Sequence, residues 1–151
     1  MKRFITTICA IFFSLALAFA QADKILGVYT YTTTSQEDNV TSKIKISKAN
    51  GGYCAQVIWV DKLYKADGSK KTDIKNPDKS KQNIPIDQIV LIEKISYNAK
   101  DKSWENGKIY EPTTGKTYKV TCSFDNDKTL KVRGYIGFAA LGRTVLWKKI
   151  E

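Results

Sequence analysis

Tyr118-Lys119-Val120-Thr121-Cys122-Ser123-Phe124, then Asp125-Asn126-Asp127, then Leu130-Lys131-Val132-Arg133, is the stretch that decides the fold. Apolar side chains fall on every second residue, with Lys119, Thr121, Ser123, Lys131 and Arg133 between them. A period of two is the pattern of a strand with one face buried. The polar triplet between the two runs has the composition of a tight turn. The stretch therefore reads as a β-hairpin with a core face and a water face.

The same pattern extends outward. Val40, Ile44 and Ile46 alternate with Thr41, Lys43 and Lys45, and Asn50-Gly51, a strong hairpin signal, leads into Tyr53 to Val60. Ile25 to Thr32, Ile89 to Ile95, Trp104 to Tyr110 and Arg143 to Lys149 complete a set of about eight strands. No comparable helical period occurs downstream of residue 22, and Phe138-Ala139-Ala140-Leu141 is too short for one. Short strands joined by tight turns predict an all-β, antiparallel, up-and-down barrel, wide enough for side chains or one small ligand. One connection is much longer. Residues 61–85 carry seven lysines and four aspartates, and a loop of that length reads either as a lid over the barrel mouth or as a solvated excursion.

Lys2 and Arg3 precede the apolar run Phe4 to Ala20, which ends in Ala18-Phe19-Ala20 and Ala20-Gln21-Ala22. These are the parts of a secretory leader. The run is short for a bilayer span of ~20 residues, so the reading is a signal peptide over 1–22 and one domain over 23–151. Export places the domain in the periplasm or outside a bacterial cell. Losing Lys2 and Arg3 takes 25 basic residues to 23 against 15 acidic ones, a net charge of +8. That excess favours weak attraction to anionic envelope surfaces, and the export signal argues against nucleic acid. An oxidising compartment permits a disulfide between Cys54 and Cys122. Yet Cys122 shares the apolar face of its strand while Cys54 lies opposite Tyr53 and Val57, so free thiols are the preferred reading.

The chain contains no histidine. That removes Ser-His-Asp and Cys-His nucleophile systems and the commonest zinc and haem ligands. No catalytic residue, metal or cofactor is assigned, and the chain reads as a non-enzyme. Asp73-Ile74-Lys75-Asn76-Pro77-Asp78 lacks the ligand spacing of a calcium loop, and Asx-type turns beside Pro77 explain it more simply. Tyr29, Tyr53, Trp59, Trp104, Tyr110, Tyr118, Tyr135 and Trp147 all lie on predicted strands. Core packing is the ordinary use of such residues; lined along one lumen they would form an apolar pocket with hydroxyl handles. Arg133 precedes Gly134-Tyr135-Ile136-Gly137, where the backbone can bend. A solvated arginine is the default there, and a buried one would need a carboxylate, with Asp73 and Glu111 as candidates.

Gly107-Lys108-Ile109-Tyr110-Glu111-Pro112-Thr113-Thr114-Gly115-Lys116-Thr117-Tyr118 resembles the G-x-I-Y-x-P-x-x-G-x-x-Y signature of the domain of unknown function 2147. Arg133-Gly134-Tyr135-Ile136-Gly137, Leu141-Gly142-Arg143, Trp147 and the Asp73…Asn76-Pro77-Asp78 segment fit the same pattern. Tyr29 stands where that family has Trp, and Asp87 falls near a customary glycine. The resemblance implies an exported bacterial, lipocalin-like barrel with no established activity. Lipocalins also open with Gly-x-Trp and close with an arginine that caps one barrel end, places taken here by Gly27, Tyr29 and Arg143. The expected function is binding of a small apolar or amphipathic ligand by Tyr53, Trp104, Tyr110 and Arg133, with Asp73, Asn76 and Pro77 as a loop motif. The alternative is docking of the lysine-rich surface on an anionic lipid, glycan or protein of the envelope.

Overall fold

The computed structural model describes residues 20–34 and 39–151; most of the expected leader lies outside them. Eight strands form one closed antiparallel barrel in sequence order. They are β1 (Gly27–Thr34), β2 (Asn39–Ala49), β3 (Gly52–Val60), β4 (Val90–Asn98), β5 (Ser103–Glu111), β6 (Lys116–Asn126), β7 (Thr129–Tyr135) and β8 (Arg143–Lys149). The all-β, up-and-down expectation holds, and Phe138–Leu141 contributes a 3-10 turn at Ala139–Leu141 rather than an α-helix. Ile25 and Leu26 precede β1 instead of beginning it.

The alternation decides which face is buried. Val120 and Cys122 on β6, Leu130 and Val132 on β7, and Trp147 on β8 are almost wholly buried, while their neighbours Lys119, Lys131 and Lys148 are not. Cys54 and Cys122 are both free thiols; Cys122 is buried, whereas Cys54 is only half-buried, beside Ser47 at 3.5 Å. Trp59 departs from the core expectation. β3 carries a bulge opposite Lys43 and Ile44, which pairs Trp59 with Lys43 and leaves the indole exposed under the Lys43 ammonium, 5.4 Å from its centroid.

The seams around the barrel are unequal. β1 pairs with β2 from Gly27↔Ile46 to Thr34↔Asn39, and β7 with β8 from Thr129↔Lys148 to Gly134↔Arg143. β4 and β5 pair only at Ser96↔Glu105, Tyr97↔Trp104 and Asn98↔Ser103, and β1 meets β8 only at Tyr29↔Lys149 and Thr30↔Lys148. The barrel is thus two four-stranded meanders joined along one end and splayed toward the other.

The joined end is packed solid. Tyr29, Trp104, Trp147, Ile25, Ile95 and Leu130 fill it, and residues 20–26 seal it from below. Trp104 Nε1 donates to the Ala22 carbonyl (3.0 Å), the Tyr53 hydroxyl to Asp23 (2.8 Å), and the Tyr29 hydroxyl to the Ile25 carbonyl (2.7 Å). Arg143 does not cap this end as the lipocalin analogy suggests, because it begins β8 at the splayed end. Lys149 takes that place, its ammonium 5.8 Å from the Tyr29 ring centroid and bonded to the Lys24 carbonyl at 2.9 Å.

Candidate functional site

The splay between β4 and β5 begins at an irregularity in β5. Trp104 pairs with Cys122 and Gly107 with Val120, so three residues of β5 span two of β6. Asn106, at φ 62°, takes up the extra length. At Gly107 the strands still touch: a Cβ there would lie 2.4 Å from the Lys94 carbonyl oxygen, a contact that only glycine permits. Beyond this point β4 follows β3, β5 follows β6, and their facing edges part.

The bulge also reverses the facing of the later β5 residues. Gly107 shares the core side with Val120, so Tyr110, three residues on, points to the outer face with its partner Thr117. There it meets the connection between β3 and β4, which crosses the splayed end as a strap. Asp73, at 3% exposure, accepts from the Tyr110 hydroxyl (2.7 Å) and from Asn76 Nδ2 (2.7 Å). Burial, and then the Asp73 carboxylate beside it, push the Tyr110 phenol well above its ordinary range, so it stays a donor at neutral pH. Asn76 Oδ1 accepts from the Asp78 amide, and Asp78 Oδ1 from the Ser80 amide and hydroxyl. The segment is a pair of consecutive Asx turns, with Gln82 Nε2 tied back to the Asn76 carbonyl at 2.8 Å. The strap is also fastened to the β5–β6 turn. Lys75 Nζ donates to the Thr113 carbonyl (2.6 Å), and Gly115 lets the Lys75 carbonyl approach so closely that a Cβ would stand 2.1 Å from it. Residues 70–85 are therefore anchored on the barrel, while 61–69 stay mostly exposed to solvent.

Between strap and splayed strands lies a cavity of about 940 Å³. Ile84, Ile89 and Leu91, with the Tyr110 ring, make its apolar part; Lys81, Lys94, Lys108 and Lys119 stand along its margins, against Asp78, Glu93 and Glu105. Tyr135 closes the far side. A smaller space of about 520 Å³ opens at the other seam, beside Tyr31, Thr41, Arg143 and Val145.

A family model described as an uncharacterized protein conserved in bacteria (DUF2147) matches residues 29–149. The chain belongs to the DUF2147 family. Among solved structures, this DUF2147 protein is similar to protein HP1028 from Helicobacter pylori, which is described as belonging to the lipocalin family. The two chains are 26% identical, with a TM-score of 0.66 over 84% of this chain and 83% of the other. No curated protein matches it. The eight-stranded closed barrel of this DUF2147 protein is thus lipocalin-like, as the motif resemblance implies.

The four residues expected to share a pocket fall in three places. Tyr53 and Trp104 belong to the packed end: Trp104 sits against Tyr97 (5.0 Å) and Phe124 (5.7 Å), and burial followed by the Asp23 hydrogen bond pushes Tyr53 up to about 12. Tyr110 lines the β4–β5 groove together with Asp73, Asn76 and Pro77. Arg133 lies on the outer face and pairs with neither Asp73 nor Glu111. Its Nε donates to the Ala139 carbonyl (2.6 Å), one terminal nitrogen to the Ala140 carbonyl (2.9 Å) and the other to the Thr144 hydroxyl (2.7 Å). Two of its donors hold the β7–β8 loop, and the third ties Arg133 to Thr144 at the start of β8. Ile84, Ile89, Leu91, Lys108 and Lys119 are groove residues that the residue pattern does not single out. The alternation around Lys119 places it on the outer face, but nothing local reveals that two strands part beside it.

Proposed function

We propose that this protein is an exported binding protein, and that it takes a small amphipathic molecule with an apolar body and an anionic end into the β4–β5 groove. The observation that carries this reading is the groove itself: about 940 Å³, apolar at Ile84, Ile89, Leu91 and Tyr110, with four lysines along its margins. Small-molecule sites run to roughly 300–1,000 Å³ and combine such an apolar lining with a few convergent polar groups. The lipocalin-like barrel supports binding over catalysis by fold analogy alone. The chemistry of the site agrees, since the buried Asp73 carboxylate is committed to Tyr110 and Asn76. Residues 1–22 support export.

Dodecanoate is a suitable probe, followed by native mass spectrometry and by displacement of an environment-sensitive fluorophore. Saturable binding is expected. Val90→Trp, which fills the groove from a half-exposed position, should weaken it at least roughly tenfold, and Lys108→Glu with Lys119→Glu several-fold. Binding unchanged in both variants would place the ligand elsewhere and overturn the reading.

A further inference from the structure

The β7–β8 loop carries a feature that ligand binding in the groove does not use. Ile136, Phe138 and Leu141 are 72%, 81% and 82% exposed. The 3-10 turn at Ala139–Leu141 buries none of its residues. Three large apolar side chains within six residues thus stand in solvent at one loop tip, when a soluble surface ordinarily scatters them. Nor is the tip a slack excursion: the Arg133 hydrogen bonds to Ala139 and Ala140 brace it from the strand beneath. The apolar groups are held outward.

The charge around them is mostly positive. Arg133 lies on β7 beneath the loop, whereas Lys128, Lys148 and Lys149 belong to the joined end, and Glu111 opposite Lys116 is an acid on the tip's own rim. Arg143 begins β8 immediately after the loop, and Lys116 begins β6 on the same rim. The strap, at this same end, adds seven lysines against four aspartates.

We propose that the β7–β8 loop is a membrane-docking tip, in which Ile136, Phe138 and Leu141 enter the interface of an anionic bilayer while the surrounding lysines and arginines engage its headgroups. A bilayer is favoured over a second copy because two such tips would bring like charges together. It is favoured over a folded protein partner because the tip is convex, and a bilayer interface needs no preformed recess to receive it. Apolar insertion combined with attraction to anionic lipid is the usual basis of interfacial binding. Tyr135 joins the tip to the groove, but the inference does not depend on the groove having a ligand.

The test uses protein purified as the cell delivers it after expression of the full chain, with its N-terminus read by mass. It is floated with vesicles of phosphatidylcholine containing about 30% phosphatidylglycerol, and with phosphatidylcholine alone, at about 0.1 M salt. Partition to the anionic vesicles only is expected. Phe138→Asp with Leu141→Asp should lower it at least roughly tenfold with an unchanged melting curve. Phe138→Trp should add emission that shifts to the blue and is quenched by brominated acyl chains in anionic vesicles. Three results would each overturn the proposal: no partition, equal partition by the double-aspartate variant, or self-association in sedimentation velocity that this variant abolishes. The second would mean diffuse electrostatic attraction, and the third a second copy as the occupant.

Discussion

The two ends of this barrel are built from the same eight strands, yet they differ in every respect that bears on function. At the joined end both seams are paired, six large side chains fill the interior, and residues 20–26 are bonded to Tyr29, Tyr53 and Trp104. At the other end β4 leaves β5 and β1 leaves β8, the two cavities open, and the apolar β7–β8 tip is exposed. Apolar material at the first end is largely committed to the core; at the second, beside a small buried cluster of Val57, Val60 and Ile89, part of it is left exposed. Most of the packing lies at one end of the sheet and the proposed binding site at the other.

Substitutions at the two ends should therefore differ most in stability. Trp104→Ala removes a fully buried indole, and should cost ~3–5 kcal/mol in urea unfolding. Val90→Ala, at a half-exposed groove position, should stay within ~0.5 kcal/mol. Equal costs would break the distinction. Tyr110→Phe leaves the buried Asp73 carboxylate one hydrogen bond short, which should cost ~1–3 kcal/mol. Its effect should appear as faster hydrogen exchange in the strap, with the amides near Trp104 unaltered.

The joined end should also show itself at high pH. Burial and the Asp23 hydrogen bond raise Tyr53 from 10.0 to about 12. The folded protein keeps this proton over a range where the unfolded chain has released it. Its contribution is complete below about pH 10 and is lost as pH rises toward 12. Tyr53→Phe should flatten that alkaline decline in stability, and an unchanged slope would assign it to other groups. The smallest effect belongs to the exposed pair Lys24–Asp127 at 2.8 Å. Lys24→Ala should melt with the wild type at moderate salt, since solvent-exposed ion pairs contribute little.

Much of the packed end is legible in the sequence. Alternation over Tyr118–Arg133 separates Val120, Cys122, Leu130 and Val132 from Lys119 and Lys131, and Asn50-Gly51 marks the turn between β2 and β3. What escapes is the consequence of single bulges. Counting by twos from Trp104 places Tyr110 on the same face, but the extra residue at Asn106 puts it on the other. The same irregularity starts the splay that makes the groove, so the site could not be assembled by counting. Arg133 escapes for a related reason: its partners are mostly backbone carbonyls, which no residue pattern announces. The strap is visible only as a long basic segment, because its anchorage rests on Asp73, Lys75 and Gly115 meeting residues distant in sequence.

The most direct measurement is amide hydrogen exchange resolved along β4 and β5 in the native protein. Amides pairing Ser96–Asn98 with Ser103–Glu105 should be strongly protected, while seam-facing amides of residues 90–94 and 108–111 exchange orders of magnitude faster and slow on adding dodecanoate. Protection that is uniform along the whole seam and indifferent to the probe would contradict a barrel closed at one end and open for binding at the other.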